Sequence, residues 1–189
     1  MRRSPFILTT LLVLIPVLIA DASGEQRISL GMDAGYFHPR GGNLRNIYGG
    51  GIQLGAELAL DFGNGVTAWA GGRCFRKTGR LSFTREEATL HLLPFHLGLG
   101  VQFRPGARWR PFLGGGISLN VFREAAPLET VKQTRLGYWG QAGVSVRIAR
   151  RLALEAKCVY NSCRMEFPET DVDLSGMSGI VGLKFLLKD

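Results

Sequence analysis

The side chains that could do chemistry in this 189-residue chain are few: three histidines (His38, His91, His96), three cysteines (Cys74, Cys158, Cys163) and scattered carboxylates. The histidines show no metal-ligand spacing and no C-x-x-C occurs, so no metal centre and no cofactor are expected. His96, within "HLLPFHLGLGVQF", would be the base of a Ser/His/acid set, but the spacing suggests no serine beside it. It reads instead as a satisfied interior residue. Glu86, Glu87, Glu166, Glu169, Asp171 and Asp173 could gather divalent cations, and Arg40, Arg45, Arg80 and Arg85 could meet lipid phosphates. Solvated loops are the simpler account of all of them. The odd cysteine count excludes a full disulfide framework and leaves Cys158 and Cys163 either paired locally or free.

The elements that must position these residues are strands. Alternation of period two runs through eight segments, 27–37, 51–62, 66–76, 91–103, 110–122, 136–148, 152–161 and 177–187, and none has useful helical periodicity. In the fourth, Leu93, Phe95, Leu97, Leu99, Val101 and Phe103 alternate with Pro94, His96, Gly98, Gly100 and Gln102. Connections after the second, fourth and sixth segments are short: 63–65, 104–110 and 149–151. Those after the odd segments are longer and hold most of the loop charge. This rhythm predicts an all-β, eight-stranded antiparallel up-and-down transmembrane β-barrel with its N-terminus on the short-turn side.

One strand face is continuously aliphatic. Rings gather near its ends: Phe62, Phe103, Trp109, Phe112 and Phe185 by the short turns, and Tyr36, Tyr48, Phe75, Phe122, Tyr138 and Tyr160 by the long loops. Two aromatic belts flanking an aliphatic band are what a lipid-facing wall requires. The other face is rich in the chain's 26 glycines and poor in Lys and Glu, as in the filled interior of a narrow barrel. Counting across the turn 63–65 sets Glu57 opposite Gly71 and diagonal to Arg73. The same count across 149–151 sets Glu155 opposite Ser145 and diagonal to Arg147. Glu57, Arg73, Arg147 and Glu155 are therefore expected to form a neutralising interior polar network, because charge withdrawn from water must be paired.

Residues 1–22 have a basic start, an apolar run and Ala20-Asp21-Ala22, the pattern of a secretory signal peptide cut after Ala22; 23–189 would be the barrel domain. The net charge of +8 is dispersed, without a basic helix or an aromatic platform. Nucleic acid is excluded on that ground, and anionic lipid head groups are the better partner.

The stretch "LPFHLGLGVQF", a short turn and "RPFLGGGISL" resemble the fourth-to-fifth-strand hairpin of the small outer-membrane β-barrels of Gram-negative bacteria, the porin-like and opacity-protein-like group. The resemblance implies an outer-membrane location, membrane lipid and lipopolysaccharide as surroundings, insertion by the barrel-assembly machinery with periplasmic chaperones, and no catalytic residues. Members of that group commonly end in an aromatic residue, whereas here Phe185 precedes Leu186, Leu187, Lys188 and Asp189. The expected role is structural or surface-interacting, in a monomer. A small pore and a lipid A-modifying enzyme are the two alternatives.

Overall fold

The computed structural model describes residues 26–80, 87–105, 107–125, 130–166 and 171–187. The expected signal peptide and Arg85, Glu86 and Glu169 lie outside the described residues. The strands are β1 (Arg27–Pro39), β2 (Gly51–Asp61), β3 (Val66–Arg80), β4 (Glu87–Gln102), β5 (Trp109–Ala125), β6 (Thr130–Ala149), β7 (Leu152–Ser162), β8 (Arg164–Glu166), β9 (Asp171–Asp173) and β10 (Gly176–Leu186), with one helix, α1 (Gly42–Tyr48). Eight of them close a barrel in the order β1-β10-β7-β6-β5-β4-β3-β2, and β8 and β9 form a separate hairpin. Every neighbouring pair in the barrel is antiparallel, including the closing pair β1–β10. Closure leaves no strand edge unpaired, the condition for crossing lipid with strands.

The short turns set the register. Gly63 and Gly65 take positive φ (82° and 87°), which glycine adopts without a Cβ clash. Asp61 and Asn64 then accept hydrogen bonds from the backbone N–H groups of Gly63 and Val66 at 2.9 and 3.0 Å. Phe62 N–H donates to Val66 O at 3.0 Å, so Glu57 faces Gly71 as counted from the sequence. At the β6–β7 turn the chain bulges between Arg147 and Ala149, yet Ser145 still faces Glu155.

Three expectations are corrected. The strands on the long-loop side run further than the apolar alternation did, to Arg80, Glu87, Ala125 and Thr130, because polar residues continue the ladder above the aliphatic band. The connections after β3 and β5 are correspondingly short. A helix does form in the first long connection, about two turns in which Leu44 and Tyr48 are buried. Finally, the rim rings divide. Tyr36, Phe103, Trp109, Tyr138, Tyr160 and Phe185 stand exposed on the outer wall, whereas Tyr48, Phe62, Phe75, Phe112 and Phe122 are buried.

Candidate functional site

Parity along each strand sends Asp33 (β1), Glu57 (β2), Arg73 (β3), His96 (β4), Glu155 and Lys157 (β7) and Lys184 (β10) into the lumen. There they meet across the barrel. Lys157 Nζ lies 3.1 Å from Glu57 Oε1 and 3.2 Å from Asp33 Oδ2. Arg73 Nη2 lies 3.3 Å from Asp33 Oδ2 and 3.7 Å from Glu57 Oε2. His96 Nε2 and Glu57 Oε2 are hydrogen-bonded at 3.0 Å. Lys184 Nζ donates to Glu155 Oε1 at 2.8 Å, and Lys157 links the two halves through a 3.9 Å approach to Glu155 Oε2. Three carboxylates face three cations, all withdrawn from solvent, so charges that would be costly alone are neutralised together.

Of the four residues read from the sequence, Glu57 and Arg73 lie within 3.7 Å of one another. Arg147 and Glu155 do not form a pair among the described residues. Arg147 and Lys184 both face Ala153, from opposite flanks of β7, so each is diagonal to Glu155. Glu155 is held by Lys184. The sequence reading missed Asp33, Lys157 and Lys184 as partners. Their inward parity was visible, but they meet through the β1–β10 closure and across the lumen, where no turn supplies a count.

Ser118, unexpectedly, faces His96 across β4–β5. Its hydroxyl is already committed, donating to Asn161 Oδ1 at 2.8 Å and accepting from Asn120 Nδ2 at 3.0 Å. Trp139 stacks edge-on against His96 at 5.0 Å and donates its indole N–H to Leu97 O at 3.2 Å. The serine hydroxyl is thus engaged by Asn120 and Asn161 and His96 Nε2 by Glu57, while His96 Nδ1 is buried without a hydrogen-bond partner among the described residues.

Rings and aliphatic groups share the rest of the lumen with buried polar side chains such as Gln53, Thr67, Gln102, Arg110 and Gln141. Trp69, Phe112 and Trp139 pack with Ala59, Val159 and Ile180. Trp69 occupies the space that glycine leaves at positions 100 and 114, where any Cβ would strike its ring. On the long-loop side Phe37, Phe75, Leu90, Leu92 and Phe122 join Leu44 and Tyr48 of α1 and Cys163 and Leu174 flanking the β8–β9 hairpin. Tyr48 Oη donates to Glu124 Oε1 at 2.5 Å and pins the helix over the mouth. Burial first, then the adjacent Glu124 carboxylate, push the Tyr48 phenol above its usual range. Burial likewise pushes the Cys163 thiol up to about 11. All three cysteines are free: Cys74 and Cys158 on the outer wall and Cys163 inside this cap.

What space remains is small. A cavity of about 30 Å³ lies between the ion network and the apolar cap, lined by Gln53, Arg73, His96, Ser118 and Asn161 among others. A second, of about 20 Å³, lies by Ser29, Thr67, Gln102 and Arg110 at the short-turn end. Each has room for about one water molecule.

This closed eight-stranded wall, with exposed Leu, Ile and Val outside and paired charge inside, decides the architecture. The chain has the fold of the small eight-stranded outer-membrane β-barrels. It is similar to the outer membrane protein OprG from Pseudomonas aeruginosa, with a TM-score of 0.71 and 15% identity over 88% of this chain and 97% of that one. Against Neisserial surface protein A (NspA) the values are 0.63 and 16%, over 84% and 96%. Against a major outer membrane protein from Thermus thermophilus they are 0.58 and 12%, over 86% and 99%. No family model matches the chain, and no curated protein matches it. These structural similarities establish a common fold. Identities this low carry no residue-level role from those proteins to this barrel.

Proposed function

We propose that the chain is an integral outer-membrane protein with a plugged, non-enzymatic barrel, exported by residues 1–22 with cleavage after Ala22, and serving envelope structure or surface interaction. One observation carries this reading. The lumen is filled by the ion network, by packed rings and by buried polar side chains, with residual cavities of about 30 and 20 Å³. A hydrated ion needs a continuous path, and a hydrolase needs a substrate-sized opening beside its nucleophile; neither fits these volumes. The fold shared with outer-membrane proteins of three bacterial groups supports the location.

Two measurements test it together. The mature protein should fractionate with the outer membrane and migrate faster in gels when unheated, and it should leave planar bilayers silent. Steady single-channel conductance would replace the plug with the pore alternative, and a changed lipid A mass spectrum on expression would replace it with the enzyme.

A further inference from the structure

On the outer wall the register lines up four basic side chains. Arg76 of β3 faces His91 of β4, His91 faces Arg123 of β5, and Arg123 faces Lys132 of β6. All four share the outward parity of Phe95 and Leu119. Arg76, Arg123 and Lys132 are exposed and His91 half-buried. None makes a side-chain hydrogen bond or ion pair with another described residue. Four adjacent strands place these groups over roughly 14 Å at ordinary strand spacing. Among the described residues of these four strands, the only outward carboxylate, Glu87, lies two rows higher, opposite Arg80.

The height of the row gives it meaning. Beneath His91 the outward positions of β4 run Leu93, Phe95, Leu97, Leu99 and Val101, and Phe103 follows just past its end. Strand rise and tilt convert that run into roughly 25 Å, the full height of an outer-membrane apolar band. The cations therefore begin where the acyl chains end, on the long-loop side. On β6 the outward residue below Lys132 is Thr134, and below that the aliphatic face begins at Leu136. The other half of the wall differs. Outward positions of β1, β2, β7 and β10 carry no Lys or Arg.

We infer that the outer wall of β3–β6 is a binding site for a phosphorylated lipid head group of the outer leaflet, with Arg76, His91, Arg123 and Lys132 meeting the phosphates and Phe95, Leu119 and Leu136 packing on the acyl chains. Guanidinium groups grip phosphate through two parallel N–H donors, and like charges left in a row without anions would repel. The inference rests on the membrane-spanning reading above and locates its lipid partner.

The test uses the mature barrel folded in neutral detergent. Diphosphoryl lipid A, or the same lipid stripped of phosphate, is added, and bound lipid is quantified by native mass spectrometry. Near a membrane surface each cation contributes roughly fivefold in affinity, so the exposed three should give the phosphorylated form a preference on the order of a hundredfold. R76Q/R123Q/K132Q should abolish that preference, while R104Q/R108Q/R151Q, which removes the same charge at the short turns, should retain it. Equal binding of both lipids by the unaltered protein overturns the site, as does a preference that survives the first triple variant or disappears equally in the second. If the first variant fails to fold, the unaltered protein's own preference decides. A chain that reaches the outer membrane but lacks the preference refutes the site alone; a chain absent from that fraction refutes the proposed function as well.

Discussion

Replacing Glu57 by Gln tests the lumen network at its centre. Gln keeps the volume and a hydrogen bond for His96 but removes the carboxylate that faces Lys157 at 3.1 Å and Arg73 at 3.7 Å. Asp33 must then serve both cations, which it already contacts at 3.2 and 3.3 Å. The balance of three against three becomes two against three, and one buried positive charge is left without compensation. Breaking a buried pair in this way costs about 3–5 kcal/mol, a third or more of a typical domain's stability.

A second substitution separates charge balance from lost contacts. In E57Q/K157M, Asp33 is left to Arg73 and Glu155 to Lys184, and neutrality returns. The double variant should therefore be more stable than E57Q, recovering about 2 kcal/mol or more, although it has lost more polar contacts. Equilibrium urea unfolding in lipid vesicles, read by heat-modifiable gel migration, gives both values. A cost below about 1 kcal/mol for E57Q, or a double variant less stable than the single one, would refute the view that the lumen is held by neutralisation.

Gly114→Ala should cost about 1–3 kcal/mol by placing a Cβ against the Trp69 ring, and W69F in the same chain should relieve part of that loss; additive costs in urea unfolding would contradict the packing. Tyr48→Phe removes the hydrogen bond to Glu124 and should cost about 1 kcal/mol near neutral pH. The raised Tyr48 pKa means that its stabilisation is complete below the ordinary value of 10.0 and is lost as pH rises above it. The unaltered protein should therefore lose stability in that alkaline window and Y48F should not, as proteolysis of the cap at graded pH would reveal. A maleimide should leave Cys163 unmodified in the folded protein and label it after unfolding, because Cys163 is buried and its thiol is pushed up to about 11. Rapid labelling of Cys163 in the folded state would contradict the closed cap.

The barrel was legible because strand parity is a local property. A period of two assigns Leu97 outward and His96 inward without knowledge of any other strand, and short turns such as 63–65 carry that assignment into the next strand. The rings were misread where height along the strand was given more weight than parity. Phe75 and Phe112 stand at inward positions of β3 and β5 by the same alternation that sends Cys74 and Leu113 outward, and they fill the lumen. Phe62 has outward parity but sits in the turn after β2 has ended, so alternation no longer governs it. Helix α1 escaped notice for a different reason. Two turns offer too few residues for a period, and its Leu44 and Tyr48 are ordered by the cluster they join.

The lumen network was only half legible, and the missing half follows from the geometry of a small barrel. Neighbouring strands joined by a tight turn have a register that can be counted, which brought Glu57 to Arg73. A lumen this narrow also lets β7 reach β2 across the open interior: Lys157 meets Glu57 although the two are 100 residues apart and share no ladder. Such contacts depend on how many strands close the ring and how far they shear, quantities that belong to the whole barrel. Glu155 illustrates the consequence. A cation flanks it on each side, Arg147 on β6 and Lys184 on β10. The tight β6–β7 turn made only Arg147 visible to a sequence count, whereas Lys184 is brought alongside β7 by ring closure and takes the carboxylate at 2.8 Å.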